Sequence, residues 1–115
     1  MERALLVTVK LESEKNNWTV FDMAAELEEL SATSGAKVVE GLTCSRDKPT
    51  PNFFIGKGKV EEIAALCSAD DLETVIFNRD LTGTQQRNLE SEIGKKVIDR
   101  TQLILDIFAR HAKSP

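Results

Sequence analysis

The sequence is poor in the residues on which most metal sites and nucleophilic enzymes depend. Its 115 residues include one histidine, two cysteines and no tyrosine. Zinc sites need clustered cysteine and histidine ligands, whereas Cys44 and Cys67 are widely separated and His111 is the sole histidine. Cys67 falls on the apolar stripe of a predicted helix. For Cys44 we favour a structural role over a reactive thiol, and His111, on the apolar face of the last helix, is expected to be a packed or helix-terminal histidine. We therefore expect no catalytic residue and no metal ligand in this chain.

Long apolar runs and nucleotide-binding loops are also missing. No stretch of about 18 apolar residues occurs, so we expect no membrane span. A phosphate-binding loop requires Gly-x-x-x-x-Gly-Lys-Ser/Thr, and the Gly-Lys pairs at 56–59 have neither the spacing nor the hydroxyl. A dinucleotide fingerprint at the same place would need a glycine where Glu61 stands. Because two cysteines give no disulfide framework, a reducing, cytoplasmic location is expected.

The apolar pattern predicts one domain in which strands and helices alternate. Residues 4–9 form a nearly continuous apolar run, typical of a strand buried on both faces, and further strands are predicted at 37–43, 74–77 and 96–98. Helix starts are predicted at Thr19, Thr82 and Asp99, and helix ends at Gly35 and Gly94. Residues 53–55 are either an edge strand or a plug against the core. We predict an α/β fold with a small, mostly parallel sheet of about four strands and helices packed on it as βαβ units, with the strand order left open.

Charge is unevenly distributed along the chain, whose formal net charge is −4. Residues 12–30 contain six acids and one base, and residues 44–59 contain four bases and one acid. A general nucleic-acid-binding protein is usually basic, so the overall balance argues against that class. Two solvated surfaces of opposite sign would explain the pattern. The interpretation that we favour is a basic loop turned towards a polyanion and an acidic face turned away from it.

Polar and cationic residues follow the predicted strands, and the carboxyl ends of parallel strands share one edge of a sheet, where ligands bind. Arginine suits phosphates and base stacking, and glutamine suits sugar or base edges. The RNA-binding candidates are Arg46, Lys57, Lys59, Arg79, Gln85, Gln86, Arg87 and Arg100. A weaker anion-site candidate is the turn Gly56, Lys57, Gly58 and Lys59, which precedes a predicted helix. A turn with solvated lysines and the wet side of an amphipathic helix remain the alternatives.

Three blocks of sequence resemble the N-terminal domain of the HflX-type ribosome-associated GTPases. They are IGKGKVEEI at 55–63, VIFNRDLTGTQQRNLE at 75–90 and KVIDRTQLILDIFA at 96–109. The resemblance covers nearly the whole chain and extends to the predicted first strand. It implies a cytoplasmic GTP hydrolase that binds the large ribosomal subunit and its rRNA and separates stalled or idle ribosomes. An adenine-nucleotide role has also been proposed for the N-terminal region of this family.

The resemblance also implies that this chain and a separate GTPase domain have different functions. Residues 1–112 are expected to be the N-terminal α/β domain, and 113–115 a tail at a truncation point that precedes a coiled-coil arm and a GTPase domain. GTP and Mg²⁺ would then belong to the missing GTPase domain, and this chain would hold no cofactor. An ATP-binding domain and a regulatory domain that packs on the GTPase domain are the alternative functions. Because Leu105, Ala109 and Ala112 make the last helix apolar on its second side, we expect it to be clamped between surfaces, and truncation to favour self-association.

Overall fold

Four strands and four helices alternate along residues 2–111, the part of the chain that the computed structural model describes. They are β1 (Arg3–Leu11), α1 (Val20–Thr33), β2 (Lys37–Arg46), α2 (Lys57–Ala69), β3 (Thr74–Phe77), α3 (Gly83–Ile93), β4 (Lys96–Ile98) and α4 (Arg100–His111). The strands form one sheet in the order β2-β1-β3-β4, and every neighbouring pair is parallel. The predicted α/β fold with a small parallel sheet is confirmed, and the structure supplies the strand order.

The central strand β1 separates two apolar layers. Leu5, Val7 and Val9 point into the larger core, which α2 and α3 cover, while Ala4 and Leu6 point into a smaller core beneath α1 and α4. All five side chains are buried, as the unbroken apolar run of this segment predicted. Burial of each leucine or valine stabilises the fold by about 1.5–3 kcal/mol, so β1 contributes strongly to both layers.

The predicted helix starts are confirmed by side-chain hydrogen bonds. Thr19 and Thr82 form complete capping boxes with Asp22 and Gln85. The carboxylate of Asp99 accepts from the backbone N–H of Gln102 at 2.9 Å, and the Gln102 side chain accepts from the Asp99 N–H at 3.0 Å. These exchanges satisfy backbone donors that have no partner inside the helix. The predicted helix ends are confirmed by the left-handed glycines that follow α1 and α3, Gly35 with φ 91° and Gly94 with φ 77°.

The second strand is longer than the sequence predicted. It runs to Arg46 instead of residue 43, because β1 continues to Leu11 and provides partners as far as the Leu11–Arg46 pair. Residues 53–55 were predicted to be either an edge strand or a plug against the core, and the structure shows the plug. Phe54 and Ile55 are buried, and Phe54 closes a tight loop by an isolated bridge to Thr50.

The last helix packs less tightly than predicted. Leu103 is its one buried residue, whereas 60% of Leu105 and 67% of Phe108 are exposed, so the expectation of a clamped helix is wrong. His111 is exposed and is the last residue of α4, so of its two predicted roles the helix-terminal one is confirmed and the packed one is not. Ala112 lies outside the described residues. The exposed apolar side chains agree with the patch expected on this helix, and self-association remains a prediction.

Candidate nucleic-acid interface

All eight RNA-binding candidates lie at or near the carboxyl edge of the sheet, where the amino ends of the helices also gather. This follows from the parallel order of the strands, since each strand leads through a loop into a helix that returns along the sheet. The sheet nevertheless divides the candidates between its two faces. Arg46, Lys57, Lys59 and the three α3 residues belong to the α2–α3 side, and Arg79 and Arg100 turn towards the α1–α4 side.

Three cations surround the start of α2. The Lys57 ammonium lies 3.4 Å from a Glu92 carboxylate oxygen and 5.4 Å from the centre of the Phe53 ring. Lys59 pairs with Glu62 at 3.0 Å, also near the surface. The Arg46 guanidinium lies close to Gly56. A Cβ atom added to this glycine would lie 3.0 Å from Nη1 of Arg46. Because such exposed ion pairs contribute little stability, phosphate oxygens can replace their carboxylates at low cost.

The first turn of α2 differs from the other helix starts in its capping. Its N-cap is Gly56, which has no side chain to accept from the backbone, and its first turn contains no acid. The backbone N–H groups at this end therefore remain available to water or an anion, next to the cations described above. The anion-site candidate at 56–59 accordingly has the exposed donors that such a site requires.

The charges of two of these cations affect the pKa of the Cys44 thiol. Burial raises its pKa, and the charges of Lys59 and Arg46 oppose that rise in part. A raised pKa keeps the thiol protonated at neutral pH, where it is a weak nucleophile. The geometry is consistent with a structural role for Cys44.

The three candidates on α3 have different roles. Gln85 is buried; its Nε2 donates to the Thr50 carbonyl at 2.8 Å and its Oε1 accepts from the Thr82 N–H at 2.8 Å. Gln86 donates through Nε2 to the Val97 carbonyl at 2.7 Å and to a side chain of α4. Arg87 is exposed and forms no ion pair within residues 2–111. Both glutamines thus hold the fold together, and Arg87 is the α3 side chain that is available to a partner.

Arg79 and Arg100 are each paired with an acid on the α1–α4 side. Arg79 donates through Nε to the Val9 carbonyl at 2.9 Å and lies 2.6 Å from Glu14. Arg100 lies 2.7 Å from Glu26. The hydrogen bond from Arg79 holds the pKa of Glu14 below its ordinary value, against a smaller opposing effect of burial. Two acids of the acidic segment 12–30 thus form ion pairs with arginines, and the orientation of this segment relative to a polyanion stays a prediction.

A crevice of about 390 Å³ contains both of these ion pairs. It lies beside the carboxyl ends of β1 and β3, between the loop that follows β1 and the amino end of α4. Its lining residues are Glu14, Asn16, Trp18, Met23, Glu26, Asn78, Arg79 and Arg100. Sequence reasoning missed Glu14, Trp18 and Glu26, although a lone tryptophan in a polar loop was a usable signal.

Residues 22–109 match a protein family described as GTP-binding GTPase N-terminal. The chain belongs to this family. It is similar along its length to proteins named GTPase HflX, as the sequence blocks indicated, and it is an HflX N-terminal domain. It is 44% identical to the GTPase HflX of Alkalihalophilus pseudofirmus over 99% of this chain and 26% of that protein. It is 38% identical to the GTPase HflX of Escherichia coli over 98% of this chain and 26% of that protein.

Solved structures of GTP-binding proteins share the fold of this HflX N-terminal domain. A structure described as the SsGBP and GDP complex has a TM-score of 0.73 and 28% identity, and the match covers 99% of this chain and 31% of that one. A GTP-binding protein from Sulfolobus solfataricus in complex with GDP has a TM-score of 0.66 and 26% identity, over 95% of this chain and 30% of that one. The HflX N-terminal domain thus spans about a quarter of the length of the curated relatives.

Residues 2–111 contain neither a cluster of metal ligands nor a membrane-spanning helix. Within this range no group of three or more histidine, cysteine, aspartate or glutamate side chains could hold a metal ion. None of the helices of the same range is both long and apolar enough to cross a membrane.

Proposed function

We propose that this chain is the rRNA-docking module of a cytoplasmic HflX-type GTPase that associates with the large ribosomal subunit and splits or rescues ribosomes. GTP hydrolysis, with GTP and Mg²⁺, would take place in a GTPase domain outside this chain. The observation that supports docking is the α2–α3 cationic surface, which we define as Arg46, Lys57, Lys59 and Arg87. These side chains are exposed or half-buried, and they belong to the end of β2 and to the first two turns of α2 and α3.

The electrostatics of this surface suit a partner with a regular backbone of phosphates. The chain as a whole has a net charge of −4, so its overall field repels RNA. A local group of cations can still dock in one orientation, because screening at physiological salt limits the repulsion from distant acids to about 8 Å. The acids that pair with Lys57 and Lys59 are exposed, and a phosphate can take their place.

The proposed surface is narrower than the eight residues that the sequence predicted. Gln85 and Gln86 use their amide groups inside the domain, so they would support α3 without reading RNA. Arg79 and Arg100 stand on the other side and are paired with acids. Docking would therefore depend on Arg46, Lys57, Lys59 and Arg87, together with the free N–H groups at the start of α2.

A salt series tests this function. The chain is incubated with purified large ribosomal subunits at increasing salt, and the bound fraction is measured by co-sedimentation. If about four phosphates are neutralised, the logarithm of the association constant should fall with the logarithm of salt with a slope of roughly −3 to −4. Binding that does not change with salt, or no binding at low salt, would contradict docking through phosphates.

A second candidate function is nucleotide binding at the start of α2. The feature that favours it is the missing side-chain cap at Gly56, whereas α1, α3 and α4 have side-chain caps. Calorimetric titration of the chain with ATP and with GTP, each with and without Mg²⁺, separates this function from RNA docking. A third function, regulation of the GTPase domain by packing against it, predicts that deleting residues 1–112 changes GTP turnover of the full-length protein without ribosomes.

A further inference from the structure

The crevice on the α1–α4 side occupies the position at which parallel α/β sheets bind ligands. From β1 the chain leads through α1 to β2 on one side, whereas β3 leads through α3 to β4 on the other. The loops after β1 and β3 therefore diverge and leave a space between them, and such a topological switch point is the general ligand position in open α/β sheets. The crevice of about 390 Å³ lies there.

Two arginines in this crevice have donors that the domain leaves unused. The Nη2 atom of Arg79 contacts the Met23 sulfur at 4.0 Å and no oxygen within residues 2–111. Arg100 donates from Nη1 to Glu26, and its other guanidinium nitrogens have no acceptor within the same range. A guanidinium offers five donors, so both arginines have donors left for a phosphate.

Glu14 shows which kind of group binds Arg79. Its carboxylate lies at 2.6 Å, it is 40% exposed, and it belongs to the loop that joins β1 to α1. Because Glu14 is the exposed partner of this pair, its carboxylate can move into solvent when another anion takes its place on Arg79. A phosphate oxygen can accept the same charge-assisted hydrogen bond from Arg79 that the Glu14 carboxylate accepts.

Trp18 supplies an aromatic surface beside this position. Trp18 is 45% exposed, although both of its own backbone groups form hydrogen bonds. The Trp18 carbonyl accepts from the Lys10 ammonium at 2.7 Å, and its N–H donates to Asn16 Oδ1 at 3.0 Å. A tryptophan held in place with its ring in solvent suits base stacking, which tolerates any base because every base has a π-face.

We propose that this crevice binds one unpaired nucleotide of RNA, with its base against Trp18 and its phosphate on Arg79 in place of Glu14. Arg100 adds a second donor to the phosphate or sugar. This inference rests on the proposed RNA-docking function and extends it, since it gives the domain a contact on the side opposite the α2–α3 cationic surface. It also gives a role to the two arginines that this surface leaves out.

Intrinsic fluorescence tests the proposal directly, because Trp18 is the sole tryptophan and the chain has no tyrosine. The chain is titrated with a single-stranded uridylate hexamer, with a fully paired RNA duplex and with free uridine monophosphate. The hexamer should change Trp18 emission saturably, and the duplex and the free nucleotide should bind at least about tenfold more weakly. Saturation by the monophosphate at the same concentration as by the hexamer would overturn the assignment to RNA.

Removal of Glu14 gives the sharpest comparison. Glu14→Gln frees Arg79 from its internal partner, so the hexamer should bind about three- to tenfold more tightly. The matched control is Glu12→Gln, which removes the same charge two residues earlier; Glu12 has no ion pair within the described residues, and this variant should change affinity less than about twofold. Arg100→Gln should weaken binding by about three- to tenfold.

Two further results would overturn the proposal: no saturable change in emission up to millimolar hexamer, or equal effects of Glu14→Gln and Glu12→Gln. The variant Lys57→Glu with Arg87→Glu distinguishes a failure of the crevice proposal from a failure of the proposed docking function. It should lose binding to the large subunit and keep the response of Trp18 to the hexamer. A loss of both responses in a folded variant would show that the crevice is not a separate contact.

Discussion

The side-chain amide of Asn78 binds both backbone groups of Val9. Its Oδ1 accepts from the Val9 N–H at 2.8 Å, and its Nδ2 donates to the Val9 carbonyl at 3.2 Å. The pairing of β1 with β3 ends at the Val7–Phe77 pair, so the amide of Asn78 extends it by one more step. The same Val9 carbonyl accepts from Arg79, and the junction of β1 and β3 therefore positions one wall of the crevice.

Asn78→Ala should destabilise the domain by about 1–3 kcal/mol. The substitution leaves the Val9 N–H without its acceptor in a buried place, and an unsatisfied buried group costs about that much. Urea denaturation monitored by circular dichroism measures the change in the free energy of unfolding. The control is Asn88→Ala, which removes one hydrogen bond near the surface, to the Asn52 carbonyl. Equal losses for the two variants would contradict a special role of Asn78.

The same substitution at two glycines should have effects of opposite sign. Gly94 ends α3 with φ 77°, where an L-residue is strained, so Gly94→Ala should cost about 1 kcal/mol or more. Gly58 lies in the first turn of α2 with open space around its Cβ position. Gly58→Ala should stabilise the domain by about 0.4–1 kcal/mol, because alanine restricts the unfolded chain. Thermal unfolding of both variants is the measurement, and destabilisation by Gly58→Ala would show that α2 needs this glycine.

The ion pair between Glu14 and Arg79 should make a small contribution to stability that depends on pH. Its hydrogen bond lowers the pKa of Glu14 in the folded chain below the ordinary value of 4.5, so the contribution is complete above that value and is lost as the pH falls through the folded pKa. Because Glu14 is 40% exposed, screening by solvent limits the effect to at most about 1 kcal/mol. The difference in unfolding free energy between wild type and Glu14→Gln should therefore be present at pH 7 and vanish at the acid end. A difference that stays constant from pH 7 to a pH below the folded pKa of Glu14 would show that the charge of Glu14 does not contribute to stability.

Helix starts could be predicted from the sequence because their determinants are local. The capping pairs that begin at Thr19, Thr82 and Asp99 each join residues three apart, and the chain geometry of a helix start brings them together. The buried strand β1 was equally readable, since a strand covered on both faces is apolar at every position.

The crevice could not be predicted because its contacts join distant parts of the chain. Arg79 and Glu14 are 65 residues apart, and Arg100 and Glu26 are 74 apart. Which arginine meets which acid depends on the strand order and on which face each helix covers, and the apolar pattern does not contain this information. For the same reason the sequence did not show that Gln85 also donates to Thr50, in the loop before α2, or that Gln86 donates to Val97 in β4.

The exposed side of α4 should promote self-association at high concentration. Leu105 and Phe108 are neighbours on this helix and are 60% and 67% exposed, so two copies can bury them against each other. Leu105→Ser with Phe108→Ser should shift the chain towards the monomer, with little change in stability because neither residue belongs to the buried core. Sedimentation equilibrium over a range of concentrations measures the shift. A wild-type chain that stays monomeric at millimolar concentration would contradict the prediction.

Docking through the α2–α3 cationic surface is tested most directly by comparing two double charge reversals. One lies on this surface, and the other lies at the opposite edge of the sheet. Lys57→Glu with Arg87→Glu replaces two cations at the carboxyl edge, and Lys37→Glu with Lys95→Glu replaces two cations beside the starts of β2 and β4. Affinity of each variant for large ribosomal subunits is measured at one moderate salt concentration. The first variant should bind at least about tenfold more weakly than wild type, and the second should stay within about threefold of it. Equal losses in both variants, or no loss in the first, would contradict docking through this surface.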